Sequence, residues 1–112
     1  MNQIREIKYY ATNEGKIPFD EWFKSLTDIN AQARITLRLE RVKLGNLGDS
    51  KFVGDGVFEL SVDYGQGYRI YFSQIGSTII LLLCGGDKRT QAKDISKAQS
   101  YWKHYRRTNN EQ

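Results

Sequence analysis

Apolar positions recur along this chain at two spacings, and each spacing predicts a different element. Phe19, Trp22, Phe23 and Leu26 fall at i, i+3, i+4 and i+7, the stripe of an amphipathic helix. Pro18, the sole proline, suits the first turn of that helix, where a missing N–H costs nothing, and Asp20 and Glu21 suit its positive end. Asp28 is placed to cap a second helix running to about Leu44 and stopped by Gly45, with Ala31, Ile35, Leu39 and Val42 as its buried stripe. A final helix begins at Thr90, where Ile95, Ala98, Tyr101, Trp102 and Tyr105 repeat at helical spacing.

The period of two appears between these helices. Phe58, Leu60 and Val62 alternate with Glu59, Ser61 and Asp63, and Tyr68, Ile70 and Phe72 alternate with Arg69, Tyr71 and Ser73. Both strands are therefore expected to show one apolar and one polar face. Ile79 to Cys84 is apolar throughout, as in a central strand covered on both sides. Gly76-Ser77 supplies the hairpin before it, the glycine-rich stretch 45–56 reads as loop, and Ile4 to Tyr10 is aromatic and β-branched enough for a first strand. The order β-α-α-β-β-β-α describes an α+β domain over residues 1–107, with 108–112 a frayed polar tail.

Composition narrows the picture slightly. Seventeen Lys and Arg against thirteen Asp and Glu in 112 residues give a net charge of +4, compatible with nucleic acid or an acidic partner. The lone Cys84 excludes an internal disulfide, and with the lone His104 leaves no metal-ligand spacing, so no metal or cofactor is expected. The longest apolar run falls far short of the ~20 residues of a membrane span. With no charged-then-apolar leader, a cytoplasmic location is expected.

Candidate chemistry centres on Gly65 to Lys88. Arg69 carries a permanently charged fork suited to phosphate oxygens. A two-residue turn at Gly65-Gln66 would point it into the apolar face at prohibitive cost, so a three- or five-residue turn is expected, with Asp63 opposite Arg69 and Ser61 opposite Tyr71. Gly85-Gly86 reads as a sharp turn that delivers Lys88 beside Arg69, either for proton transfer or as a phosphate contact. The plainer reading pairs Arg69 with Asp63 or Glu59 and leaves Lys88 solvated. Gln91 and Asp94 share one face of the last helix's first turn; Asp94 could act as base or orient the cations, or serve the helix dipole, and Gln91 could reach a base or phosphate. Tyr71 is expected to face outward as a stacking surface, with Tyr68 in the core. Arg34, Arg38 and Arg41 form a basic stripe, read as a solvated face or a contact for RNA or an acidic segment. His104 reads as a solvated surface histidine.

The motifs taken together resemble the RelE/ParE superfamily of toxins, in particular its addiction-module killer, or phage-derived HigB-like, branch. They are Pro18-Phe19-Asp20-Glu21-Trp22, Arg38-Leu39 with Gly45-Asn46-Leu47-Gly48-Asp49, Gly56-Val57-Phe58-Glu59-Leu60, Gly67-Tyr68-Arg69-Ile70-Tyr71-Phe72, Leu82 through Lys88, and Gln91 with Asp94-Ile95 and Ala98. The resemblance implies a RelE-like fold and a toxin of a type II toxin–antitoxin pair. Such a toxin is a metal-independent endoribonuclease that cuts messenger RNA, often on the ribosome, and so inhibits translation. A helix-turn-helix antitoxin is the implied partner. On this resemblance Arg69, Lys88 and Asp94 are the catalytic candidates, and Tyr71, Gln91, Arg34, Arg38 and Arg41 the RNA-binding ones. It also admits a ParE-like DNA gyrase inhibitor that acts by binding, or a non-toxic antitoxin-binding domain. Ser61 stands where this branch commonly has arginine, and no counterpart of the RelE-type final tyrosine lies near Asp94-Ile95.

Overall fold

A computed structural model describes residues 3–109. Strand β1 (Glu6–Tyr9) leads into helices α1 (Pro18–Ser25) and α2 (Ile29–Lys43). Strands β2 (Ser50–Gly54), β3 (Val57–Val62), β4 (Tyr68–Ile75) and β5 (Ile79–Asp87) follow. A short 3₁₀ turn, Lys88–Thr90, opens helix α3 (Gln91–Thr108). Among the described residues these make an α+β fold of three α-helices on a mixed five-stranded sheet of order β1-β5-β4-β3-β2, with β1 parallel to β5 and the other pairs antiparallel.

The helix signals act as their residue types require. Asp28 caps α2, its Oδ1 accepting from the amides of Asn30 at 2.9 Å and Ala31 at 3.3 Å. Pro18 occupies the start of α1, which has no side-chain cap. Ala31, Ile35, Leu39 and Val42 are buried as expected. Gly45 ends the helix at φ +96°, a left-handed conformation that favours glycine.

Two expectations about strands are corrected. Residues 50–54 form strand β2 inside the stretch read as loop; its residues pair with Val57 to Leu60, and the short, glycine-flanked segment carries too little alternation of its own to be read as a strand. Strand β5 is covered on both faces, yet it lies second from the edge, between β1 and the central β4. The hairpin joining β4 and β5 spans residues 76–78, Ile75 opposing Ile79.

The sheet is covered on both sides. One core unites Phe19, Ile35, Leu39, Val42, Leu60, Val62, Tyr68, Ile70, Phe72, Ile80 and Leu82 beneath α1 and α2. The other unites Tyr10, Val57, Tyr71, Leu81, Leu83, Cys84 and Ala98 beneath α3. The expected polar face of β3 and β4 is thus the floor of the second core, since the apolar stripe of α3 must itself be buried. A bulge at Leu83, between the pairs Tyr71–Cys84 and Phe72–Leu82, lets Leu83 and Cys84 both serve that side. The end of α3 is held there by His104. Its Nδ1 lies 2.6 Å from the Tyr10 hydroxyl and its Nε2 3.1 Å from Asn13 Oδ1, so it is a half-buried linker and not a solvated surface group. Of the tail, Thr108 closes the last turn through its hydroxyl, accepted by the carbonyls of His104 and Tyr105; residues 110–112 lie outside the described residues.

Candidate functional site

Parity along the β3–β4 hairpin decides where Arg69 points. Its loop is five residues, 63–67, one of the two lengths expected. The register is displaced by one pair: Ser61 opposes Arg69 and Glu59 opposes Tyr71, while Asp63 lies in the loop. The direction is as argued. Arg69 shares the α3 face with Glu59, Ser61 and Tyr71, while Leu60, Val62, Tyr68 and Ile70 line the opposite core.

Glu59 organises this cluster. It is only 2% exposed, and its Oε2 accepts from the Tyr71 hydroxyl at 3.0 Å and from Gln91 Nε2 at 2.7 Å. Arg69 Nε lies 3.6 Å from the same oxygen, and Lys51 Nζ lies 3.9 Å from Oε1. A carboxylate so enclosed must be met by donors and positive charge, because burying it bare would cost far more than these contacts return. Arg69 Nε is buried without a hydrogen-bond partner among the described residues, so its attraction to Glu59 is electrostatic rather than a formed hydrogen bond. Its Nη1 donates to the Gly67 carbonyl at 3.3 Å. The side chain remains 19% exposed, leaving part of the fork open to solvent.

Lys88 is brought to the same place through the backbone. Its amide donates to the Gly67 carbonyl at 3.1 Å, the oxygen that also accepts from Arg69. Its side chain is exposed. The expected glycine turn is absent: Gly85 and Gly86 are regular ladder residues of β5, opposite Ile70 and Arg69, and the pairing continues to Asp87 opposite Tyr68. They are glycine for room. A Cβ at Gly85 would enter the Trp22 ring, and one at Gly86 would enter the Asp94 carboxylate. Lys88 is presented by the following 3₁₀ turn, which Asp87 caps by accepting from the Arg89 amide at 2.8 Å. Hydrogen bonds and charge from Arg89 hold the Asp87 carboxyl below its ordinary range.

The other candidates separate. Gln91 joins the cluster as a donor to Glu59. Asp94 is 7% exposed, seated on Gly86 and bonded by the Thr90 hydroxyl at 2.5 Å, which makes it an anchor of α3's first turn. Tyr71 does not face outward: it is fully buried, and burial together with the hydrogen bond and charge of Glu59 raises its hydroxyl pKa far above the ordinary value. Base stacking is closed to it. Arg34, Arg38 and Arg41 lie on α2, across the sheet from Arg69. Arg38 is structural, its Nε donating to the Ser61 carbonyl at 3.0 Å and its Nη2 to those of Leu47 at 2.5 Å and Asp49 at 3.2 Å. Burial lowers its pKa, its charge being shared with carbonyls rather than water.

Sequence reasoning missed Lys51, because β2 went unread, and took Glu59 for a solvent-facing acid. One signal was available: the apolar stripe of the last helix needs a surface to cover, and the remaining face of β3 and β4, with Glu59 and Tyr71 on it, is the one left. A groove of about 620 Å³ opens beyond Gly85 and Gly86, with Trp22 on one wall and Lys93 and Lys97 on the other. Among the described residues no group of His, Cys, Asp and Glu could hold a metal ion, and no helix is long and apolar enough to cross a membrane.

No protein-family model matches the chain. It is 48% identical over 83 residues to an uncharacterized protein of Haemophilus influenzae, an alignment covering 74% of this chain and 84% of the relative.

Proposed function

The chain belongs to one family with that Haemophilus influenzae protein, and from its own residues we propose that it is a RelE-like toxin of a type II toxin–antitoxin pair, cutting messenger RNA as an endoribonuclease. One observation carries this reading. A partly open guanidinium, Arg69, is held by a buried carboxylate and a loop carbonyl, with the Lys88 backbone on that same carbonyl. A fork held before substrate arrives needs no reorganisation when charge develops on a phosphoryl group.

The reaction fits this arrangement. The ribose 2′-oxygen attacks the adjacent phosphorus and loses its proton to solvent, and the P–O5′ bond breaks as the leaving oxygen takes a proton from the Lys88 ammonium. The products are a 2′,3′-cyclic phosphate and a 5′-hydroxyl. Arg69 stabilises the phosphoryl oxygens through its outer nitrogens. Lys88, an exposed amine whose backbone shares the Gly67 carbonyl with Arg69, serves the leaving oxygen. Glu59, Gln91 and Tyr71 position Arg69 from beneath. The groove beyond Gly86, with Lys93 and Lys97 on its wall, receives the flanking chain.

Mapping transcript 5′ ends after induction of wild type and Arg69→Ala tests the proposal. Loss of one such donor is expected to lower cleavage about 10²–10³-fold. Equal growth arrest by both proteins with no new 5′ ends would refute it. The pairing of Arg69 with Glu59 favours one second reading, a ParE-like module that inhibits DNA gyrase by binding. Inhibited supercoiling with intact transcripts is its signature.

A further inference from the structure

The loop between β3 and β4, residues 63–67, reaches the Arg69 site through a single oxygen. Its Gly67 carbonyl accepts from Arg69 Nη1 at 3.3 Å and from the Lys88 amide at 3.1 Å. The Arg69 side chain makes no other hydrogen bond among the described residues, since its Nε stands 3.6 Å from Glu59 without forming one. The loop that holds this oxygen is loosely made. Gly65 and Gly67 are left-handed, at φ +58° and +82°, and glycine loses more conformational freedom on ordering than any other residue. Asp63, Gly65 and Gln66 are exposed. Tyr64 is the loop residue that is fastened. Its ring packs on the core beneath α1 and α2, with the Arg34 guanidinium over it at 5.1 Å, and its hydroxyl donates to Asp28 Oδ2 at 3.2 Å. Asp28 is itself fixed, because its other oxygen caps α2. The Tyr64 carbonyl then accepts from the Gly67 amide at 3.0 Å and closes the turn.

We infer that Tyr64, tied to Asp28, is a positioning residue: it sets the Gly67 carbonyl and, through that oxygen, the direction of the Arg69 fork and the backbone that presents Lys88. The role rests on the reading of Arg69 as the group that grips phosphate. A ring seated on the core and a hydroxyl on a helix cap hold one end of the turn, so the carbonyl at its other end stands in place before substrate arrives. Without the tie, two glycines leave the turn free to reorient. The fork then keeps only its attraction to Glu59, which, with no formed hydrogen bond, does not fix its direction. Packing alone would be served equally by phenylalanine, so the hydroxyl is what distinguishes the role.

Amide exchange by NMR on the full chain, with single-turnover cleavage of ribosome-bound messenger RNA, tests this in two variants. Tyr64→Phe keeps the ring, and Asp28→Ser keeps a cap for α2 but is too short to reach Tyr64. Each should speed exchange of the Lys88 amide about ten-fold or more while the amides of Leu81 and Leu82 stay protected. Each should melt within about 3 °C of wild type. The maximal cleavage rate should fall about ten- to a hundred-fold with the half-saturating concentration unchanged, as misplacement of a catalytic group does. Unchanged Lys88 exchange in both variants overturns the inference, as does faster exchange with wild-type cleavage. Loss of protection throughout β5 with a lowered melting temperature also overturns it, making Tyr64 a plain core residue. If the wild type leaves the messenger intact, the nuclease reading fails on its own. The placement of Arg69 is then judged by its Nε–H resonance, which should shift in both variants; an unmoved resonance overturns the inference.

Discussion

Gly86→Ala puts the structural reading of β5 at risk in one substitution. The residue lies in an extended strand with no positive φ, so alanine brings no backbone strain and the whole effect is steric. Its Cβ would enter the Asp94 carboxylate and stand 3.0 Å from Thr90 Oγ1. Asp94 is buried, so it cannot yield without shifting the first turn of α3. Overpacking costs about 1–3 kcal/mol. Loss of the hydrogen bond from Thr90 to a charged acceptor adds about 1.5–3 kcal/mol. A total near 3–5 kcal/mol, at about 4 °C per kcal/mol for a chain of this size, lowers the melting temperature by roughly 10–20 °C. Thermal and urea melts of wild type, Gly86→Ala, Asp94→Ala and the double variant measure it. In the Asp94→Ala background the alanine has room, so its cost should fall below about 1 kcal/mol and the cycle should show a coupling of about 2–5 kcal/mol. A Gly86→Ala melt within about 2 °C of wild type, or strict additivity, would mean that these glycines serve as a turn after all.

Three further outcomes are expected. Tyr71→Phe removes one of two hydrogen-bond donors to buried Glu59 and should cost about 1–3 kcal/mol in urea unfolding, whereas a solvent-facing tyrosine would cost nearly nothing. Arg38→Ala strips donors from the carbonyls of Ser61, Leu47 and Asp49 and should cost about 2–4 kcal/mol while sparing transcript cleavage; loss of cleavage with unchanged stability would instead restore Arg38 to RNA binding. Burial pushes the Cys84 thiol up to about 12 from its ordinary value near 9, so the folded protein should resist iodoacetamide at pH 8 and react once unfolded in guanidinium. The sign for stability follows. The contribution is whole below about pH 9, where both states hold the proton, and declines toward pH 12 as only the unfolded thiol ionises. Cys84→Ala should flatten that part of the alkaline decline, and an unchanged slope would count against it.

Much of the helical framework is legible in the sequence because helix signals are local. Asp28, Pro18 and the stripe 31–35–39–42 act within a few residues of themselves, and each does in the fold what its type and spacing require. The parity of Arg69, away from the core beneath α1 and α2, is legible for a related reason: side chains alternate, and a guanidinium set among the apolar side chains of that core would be too costly, so only an odd loop length serves. The partner across the ladder is another matter. Five residues and three residues satisfy the parity equally, and the five-residue loop, with its turn from Tyr64 to Gly67, sets Ser61 rather than Asp63 opposite.

What no local pattern decided is which surfaces meet. Alternation in β3 and β4 marks a polar face, but only the docking of α3 turns that face into an interior, burying Tyr71 and making Glu59 a hub for Arg69, Gln91 and Lys51. Gly85-Gly86 reads as a turn because glycine is most often there for its φ; here it is there for the volume of Trp22 and Asp94, residues 63 and 8 positions away. The sequence by itself determined the three helices, four of the five strands and the direction of one arginine, since those follow from period and charge. Tertiary structure alone decided the second sheet face, the neighbours of Arg69 and the reason for the paired glycines, since burial depends on a surface supplied from elsewhere in the chain.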